Sequence, residues 1–233
     1  LQEKTLYSTD FTNWEAIDRA KATNEVVKVK TLYSKEELSF TFNGVGVYPA
    51  GTNAKFPEIT GFMQTAKHTG EYKAAEPSVV TSPLASITKI TLHQAATGGK
   101  RGIKVSVKGD GDADWVAIHN VAIANAKGED LTLEVNRTNC QIKFENLALG
   151  QNAYVTDLAI YGNVDMNKSP MLGSFLLNGV KYHAADLFAE GADDKQVATV
   201  LISKKANLIS ETNPLTEITA DNGNIKSITY ATT

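Results

Sequence analysis

Gln151-Asn-Ala-Tyr-Val-Thr-Asp-Leu-Ala-Ile-Tyr-Gly162 closes a stretch, beginning at Ser86, in which short runs alternate apolar with polar residues. In the run Ile103–Lys108, for example, three apolar side chains point one way while two lysines and a serine point the other. A period of two residues is typical of a strand that buries one face and exposes the other. The sequence therefore predicts a half-buried antiparallel sheet.

Composition limits the possible functions. The chain has 233 residues, 42% of them hydrophobic and 21% charged, with a formal net charge of -3. Because this charge gives no basic field to attract phosphates, we expect no nucleic-acid partner. No apolar run reaches the length of about 18 residues that a transmembrane helix needs, so no transmembrane segment is expected. The chain begins at Leu1 without an initiator Met, which indicates a processed or trimmed product.

The one cysteine, Cys140, lies between two segments of alternating residues and has no second cysteine with which to form an intrachain disulfide. No cationic residue pattern surrounds it that would favour a reactive thiolate. We therefore expect a small buried side chain in or beside a strand.

Strand patterns separated by loops rich in Gly, Asn, Pro and Asp occupy residues 1–164, and a polar stretch ending at Pro170 then reads as a linker. Only Glu15–Arg19 and Lys35–Leu38 hint at a helical turn. We predict an all-β protein whose first domain, 1–164, is a jelly-roll β-sandwich. A second, smaller β domain, 165–233, follows, with an Asn222-Gly223 hairpin turn, and is too small for an independent core unless it packs on the first domain or continues into further polypeptide.

An acidic turn is the one candidate for a metal site. Asp110, Asp112 and Asp114 alternate with small residues, and carboxylates that converge in a loop are ligands that calcium prefers. An EF-hand loop would need Gly where Trp115 stands and Glu where Val121 stands. The favoured interpretation is a tight turn between two strands with no bound cofactor, and a structural calcium ion is the alternative.

Catalytic patterns are weak throughout. The four histidines are far apart in sequence and none has metal-ligand spacing, so we expect isolated polar or strand-edge residues: His68, His93, His119 and His183. Two carboxylates suffice for a glycosidase, but nothing singles out a pair among the candidates Asp10, Asp112, Asp114 and Asp157. The sequence therefore favours a protein that is not an enzyme.

Aromatic and planar polar side chains on loops are the best candidates for ligand contacts. A sugar presents apolar C–H faces and many hydroxyl groups, so its binding site needs flat rings and hydrogen-bonding groups. We select Trp14, Tyr48, Tyr72 and Arg101 as ligand-binding candidates. Large rings are mostly buried, so a core position competes with ligand binding for Trp14 and is expected for Trp115.

Three segments carry a family resemblance: Leu6–Trp14, the region from Ile87 to Trp115, and Ala153–Gly162. Together they resemble the galactose-binding-domain-like jelly rolls of secreted bacterial proteins. They are especially similar to the non-catalytic modules attached to polysaccharide-processing proteins of gut anaerobes. The resemblance covers residues 5 to 162. From Leu172 onward the chain resembles the start of the small immunoglobulin-like units that often follow such modules.

The resemblance implies an exported protein, secreted or at the cell surface, that binds carbohydrate without cleaving it. Its partner would be a polysaccharide or glycan, recognised by loops at one end of the first sandwich. It also implies a catalytic domain elsewhere in a longer parent chain, and a structural calcium is common in the fold. The alternative is a cell-surface adhesion or spacer module that binds a protein partner, because folds of this kind serve several functions.

Overall fold

The computed structural model describes residues 1–33, 36–50, 56–65, 76–96, 101–124, 128–147 and 152–165, and the backbone alone of 174–177, 180–183 and 218–220. These residues form strands, turns and bends, and none of them is helical. The chain divides into two compact units. The larger unit comprises Glu3–Lys30 and Glu37–Asn163, and the smaller comprises Leu1–Gln2, Thr31–Glu36 and Val164–Thr233.

The larger unit contains eleven strands. Only Gln2, at the start of the first strand, and Val164, at the end of the last, belong to the smaller unit. Their buried positions alternate with more exposed ones, as the sequence predicts for half-buried strands. The strands are β1 (Gln2–Thr9), β2 (Glu25–Lys30), β3 (Glu37–Asn43), β4 (Val45–Tyr48), β5 (Phe62–Thr65), β6 (Ser78–Thr81), β7 (Leu84–Ala96), β8 (Ile103–Lys108), β9 (Val116–His119), β10 (Glu129–Asn146) and β11 (Ala153–Val164).

These strands form two layers that share β10. In the first layer, called sheet A, the order is β4-β5-β11-β7 and then the first half of β10, and β1 also pairs with β11. In the second layer, called sheet B, the order is β2-β3-β6, the second half of β10, β8 and β9. The strands from β2 to β11 pair antiparallel with their neighbours. The predicted all-β jelly-roll sandwich is confirmed.

Strand β10 has a bulge while it is paired with β7 in sheet A, and it passes to sheet B after Cys140. Its pairing with β7 shifts register between Glu134 and Arg137, and it pairs with β8 from Gln141 onward. Asn136 and Asn139 have φ angles of 51° and 44° in this region. Asn tolerates the left-handed conformation better than most residues, because its short polar side chain forms local hydrogen bonds. The asparagines therefore suit the sharp change of direction that the crossing requires.

Apolar side chains from both sheets fill the space between them. The ring of Tyr7 in sheet A lies 5.7 Å from the ring of Phe40 in sheet B, which shows the two layers packed face to face. The fully buried side chains with the largest volumes come from both layers: Phe40, Phe42, Leu38, Ile103, Ile142 and Phe144 from sheet B, and Met63, Leu84, Ile87, Ile90 and Leu158 from sheet A. Burying such side chains removes apolar surface from water and stabilises the sandwich.

Cys140 is a core residue, as the sequence predicts. Its side chain is buried at the point where β10 leaves sheet A, opposite Leu84. Burial disfavours the thiolate and raises the pKa of Cys140 to about 11. The thiol is therefore protonated and inert at neutral pH.

The two helical turns expected from the sequence are wrong in the described residues. Ile17 forms an isolated bridge with Val47, and a hydrogen-bonded turn follows from Asp18 to Ala22. Leu38 lies in strand β3, where its pairing with Val29 and its burial outweigh a local helical preference. Lys35 lies outside the described residues.

The smaller unit is described by three short strands: β12 (Ser174–Leu177), β13 (Val180–His183) and β14 (Ile218–Ala220). They form one antiparallel sheet in the order β13-β12-β14. The expected hairpin turn at Asn222-Gly223 lies outside the described residues. The immunoglobulin-like character of this unit and the domain division at residue 164 stay predictions.

Gly162 gives a direct test of the packing in sheet A. A Cβ atom at this position would lie 2.2 Å from the backbone oxygen of Ser86 and 2.6 Å from Leu6 Cδ1. We expect Gly162→Ala to lower the free energy of unfolding by about 1 to 3 kcal/mol, because a backbone oxygen cannot move aside as a flexible side chain can.

The matched control is Asn163→Ala, which changes the neighbouring exposed residue and leaves its backbone hydrogen bond to Ser86 in place. Urea denaturation of both variants measures the effect. Equal midpoints for Gly162→Ala and the wild type would contradict the packing described.

Candidate functional site

The acidic turn between β8 and β9 is held by hydrogen bonds to itself and to the bulge of β10. Asp112 Oδ2 accepts from the Gly109 backbone N–H at 3.0 Å and from Arg137 Nε at 3.2 Å. Asp110 accepts from Thr138 Oγ1 at 2.9 Å and from Asn139 Nδ2 at 3.3 Å. The structure therefore has the tight turn between two strands that the sequence analysis favours.

The carboxylates of this turn have separate partners. Asp114 Oδ1 accepts from the backbone N–H of Trp115 at 2.7 Å, away from the partners of Asp110 and Asp112. The Gly109 N–H, and then Arg137, hold the pKa of Asp112 below its usual range. Across the part of the chain that the structure describes, no group of three or more acidic, His or Cys side chains is arranged to hold a metal ion.

Trp115 follows this turn and lies on the outer face of sheet B. Its ring centroid is 4.9 Å from Nζ of Lys143, whose neighbours Ile142 and Phe144 point into the core. Lys143 therefore points outward, and the ring beside it is on the outside as well. The expectation that Trp115 is a core residue is wrong: its side chain is half-buried on a sheet surface.

Lys143 and Ser106 show how the ring lies. The Lys143 side chain is only 20% exposed, although it points out of the sheet. Ser106, its cross-strand partner, also points outward and is 1% exposed, so other side chains lie over it. We infer that the Trp115 ring lies over the sheet with one face toward Lys143.

The pairing register shows that the outer surface beside Trp115 continues across all six strands of sheet B. Directly paired residues share a face of the sheet. One outward row across six strands consists of Ala117, Ser106, Lys143, Val80, Thr41 and Val26. With neighbouring strands about 4.8 Å apart, the row spans about 24 Å. Its far end is open, since Val26 is 48% exposed.

The part of this outer surface that lies nearest the acidic turn is called the Trp115 face. Its members come from this row and from the positions beside it: Lys104, Ser106, Trp115, Gln141, Lys143 and Glu145. Glu145 lies between two ammonium groups, with Oε1 3.4 Å from Lys143 Nζ and Oε2 3.5 Å from Lys104 Nζ. In and around the face, four cations stand against four carboxylates: Lys104, Lys108, Arg137 and Lys143 against Asp110, Asp112, Asp114 and Glu145. The surface thus joins a flat ring to balanced, hydrogen-bonding side chains.

Trp14, a candidate from the sequence, packs into the sandwich. Its ring lies 5.3 Å from Phe11, 5.4 Å from Phe40 and 5.9 Å from Phe42, measured between centroids. Its Nε1 donates to the hydroxyl of Tyr7 at 3.1 Å. The Trp14 residue is half-buried, and both its interpretation as a core residue and its role as a ligand contact stay predictions.

Tyr48 ends strand β4 and is half-buried. Its ring lies 5.4 Å from that of Phe62 and packs against a buried cluster on sheet A: Phe56, Ile59, Phe62, Ala95 and Tyr154. Arg101 immediately precedes Gly102 and β8, and its carbonyl accepts from the N–H of Ile123 at 2.8 Å. Tyr72 lies outside the described residues. The ligand-binding roles of Tyr48, Tyr72 and Arg101 stay predictions.

A polar group joins the two sheets near Arg101. Gln94 is buried in sheet A, and its Oε1 accepts from the N–H of Ile103 in sheet B at 3.0 Å. Its Nε2 donates to Glu129 Oε1 at 2.7 Å and lies 3.4 Å from Nε2 of His119. His119 ends β9 at the edge of sheet B, which agrees with the expected strand-edge position, and antiparallel pairing of β9 with β8 brings it to this group from a distant part of the sequence.

His93 pairs with a carboxylate on the opposite face of sheet A. Its Nδ1 is 2.7 Å from Asp130 Oδ1, across a directly paired position of β7 and β10. A Cβ on Gly128 would come within 2.4 Å of His93 Nε2, so the backbone at Gly128 covers that nitrogen. A general base needs its free nitrogen within reach of a substrate proton, and this one is obstructed.

Trp115 is the main residue that the sequence interpretation missed. The alternation Trp115-Val-Ala places Trp115 and Ala117 on the face that Lys104 and Ser106 share, given the pairing of β9 with β8. The available signal was this period of two after a polar turn. To use this signal one must know the pairing register of β9 with β8, which the sequence alone does not provide.

Comparisons with known proteins give distant structural likenesses. No family model matches the chain, and no curated protein matches it. The K2 cleaved adhesin domain of Lys-gingipain is 9% identical, with a TM-score of 0.41, over 70% of this chain and 100% of that one. The CBM22-1 xylan-binding domain of Paenibacillus barcinonensis Xyn10C is 12% identical, with a TM-score of 0.38, over 68% of this chain and 94% of that one.

An F5/8 type C domain from Bacteroides fragilis is 16% identical, with a TM-score of 0.31, over 64% of this chain and 96% of that one. Structural neighbours of this protein thus include carbohydrate-binding modules, an adhesin domain and an F5/8 type C domain. At these identities and TM-scores the likenesses carry no argument about ligand or site. Among the residues that the structure describes, no helix has the length and apolar character needed to cross a membrane.

The group around Gln94 predicts how His119 titrates. Burial lowers the pKa of His119 from its ordinary value of 6.5, while Glu129 and a hydrogen bond to the Val121 backbone raise it by less. Because the folded pKa is below the unfolded one, this group favours folding above pH 6.5. That contribution is lost as the pH falls below 6.5 toward the folded pKa.

We expect an NMR titration of the His119 ring protons to give a midpoint below 6.5. Glu129→Gln removes the opposing carboxylate and should lower the midpoint further. A midpoint at or above 6.5, or an upward shift in Glu129→Gln, would show that burial does not control this residue.

Proposed function

We propose that the larger unit is a non-catalytic carbohydrate-binding module and that the Trp115 face is its binding surface. The observation that carries the proposal is the half-buried Trp115 ring on the outer face of sheet B, beside outward Lys143. Stacking of an indole on the C–H face of a sugar removes apolar surface from water. Lys143, Gln141 and Glu145 then supply donors and acceptors for hydroxyl groups.

The shape of sheet B favours an extended ligand. The outward row from Ala117 to Val26 crosses six strands and is about 24 Å long at the usual strand spacing. Such a surface suits an internal segment of a polysaccharide lying across the strands better than a chain end in a closed pocket. Because cations and carboxylates balance around Trp115, we propose a neutral polysaccharide.

The biological setting is also part of the proposal. A bacterium encounters polysaccharides outside the cell, so a module of this kind belongs to a secreted or cell-surface protein. We propose a sheet face in place of the expected loops, because the half-buried Trp14 ring packs on Phe40 and Tyr48 packs against a buried cluster. A catalytic domain in a longer parent chain stays within the proposal as the partner that such a module would serve.

Affinity electrophoresis tests the proposed surface. We expect neutral plant or microbial polysaccharides in the gel to retard the wild type and acidic ones to retard it less. Trp115→Ala should abolish retardation, since loss of an aromatic stacking partner weakens binding by about tenfold or more.

Tyr48→Ala is the matched control, because it removes a half-buried aromatic ring from sheet A. It should leave retardation unchanged. Retention of binding in Trp115→Ala together with its loss in Tyr48→Ala would place the site at the other sheet. Failure of every polysaccharide to retard the wild type would overturn the proposed function.

A further inference from the structure

We propose that Asp112 is a positioning residue for Trp115. In this view the acidic turn is a clasp, defined as Gly109–Asp114 bound to Arg137–Asn139, the residues of β10 that end and follow its bulge. The inference rests on the proposed function for its effect on affinity, and on geometry alone for its effect on the Trp115 ring.

Asp112 joins the two halves of the clasp. The same oxygen, Oδ2, accepts from the Gly109 N–H inside the turn and from Arg137 Nε in the bulge. A guanidinium hydrogen bond to a carboxylate is charge-assisted and directional. One side chain therefore fixes both the shape of the turn and its position against β10.

Further bonds of the clasp come from Asp110 and Gly109. The backbone N–H of Asp110 donates to the carbonyl of Thr138 at 2.9 Å, and the Asp110 carboxylate accepts from Thr138 and Asn139. At Gly109 a Cβ would lie 2.8 Å from the carbonyl oxygen of Thr138, so the turn packs closely on the bulge. The turn is thus anchored to the part of the chain that leads β10 between the sheets.

Trp115 is held at both ends by this arrangement. Three residues separate it from Gly111, and on its other side Val116 pairs with Val107 in β8. Since the clasp fixes the turn at Asp112, the backbone of Trp115 has little freedom to move. A pre-positioned ring loses little conformational entropy when a ligand stacks on it.

The experiment uses the fluorescence of Trp115 in a Trp14→Phe background, which leaves one tryptophan in the chain. In that background we compare Asp112→Asn with Asp130→Asn, which removes an exposed carboxylate from sheet A. We expect Asp112→Asn to lower the steady-state anisotropy of Trp115 and shift its emission to longer wavelength. Asp130→Asn should change neither.

The glycan affinity of Asp112→Asn should fall about threefold to tenfold, as expected for loss of a partly exposed charge-assisted contact. Arg137→Lys should have the same effect, and the double variant should be no worse than either single one, because both remove one interaction. Unchanged anisotropy in Asp112→Asn would overturn the clasp. Unchanged glycan affinity in a variant whose Trp115 anisotropy has fallen would also overturn it.

The two proposals fail separately. If no polysaccharide binds the wild type, the proposed function is wrong, and anisotropy alone decides whether Asp112 positions the ring. Thermal unfolding of each variant separates loss of the fold from loss of ring position.

Discussion

The structure depends on one strand that belongs to two sheets. Strand β10 pairs with β7 in sheet A and with β6 and β8 in sheet B, so its two halves connect the layers covalently. The backbone must change direction between Glu134 and Gln141 while its neighbours stay paired. Left-handed conformations at Asn136 and Asn139 make this possible with little strain.

The same bulge also organises the surface. Arg137 and Thr138 pair with Ile87 and Ser86 of β7 directly after the bulge. The side chains of Arg137, Thr138 and Asn139 bind Asp112 and Asp110 of the acidic turn, so the residues between the bulge and the crossing anchor the loop before Trp115. In this way a requirement of the fold also shapes the candidate site.

Much of the fold is predictable from the alternation of residues. The runs at Ile103–Lys108 and Leu131–Val135 form strands, and the buried position of Cys140 follows from its neighbours. The continuity of β10 is not predictable in this way. The segment Asn136–Asn139 carries residues that usually indicate a turn, whereas here they form a bulge whose partners lie far away in sequence.

The candidate site is less predictable, because it depends on register. The rule that large rings are buried places Trp115 in the core, yet pairing of β9 with β8 turns it outward. Conversely, Trp14 follows the rule and packs on Phe40 and Phe42. A local sequence pattern shows that successive side chains alternate between two faces of a sheet. Only the pairing of the strands shows which of the two faces is outside.

The most direct measurement is an NMR titration of the 25.1 kDa chain with a neutral oligosaccharide obtained from a polysaccharide that it binds. Binding at the Trp115 face predicts that the largest shift changes occur at the Trp115 indole and at the amides of Ser106 and Lys143. The signals of Tyr48 and Phe62 should stay in place. Changes confined to Tyr48 and Phe62, with Trp115 unaffected, would contradict a binding surface on sheet B.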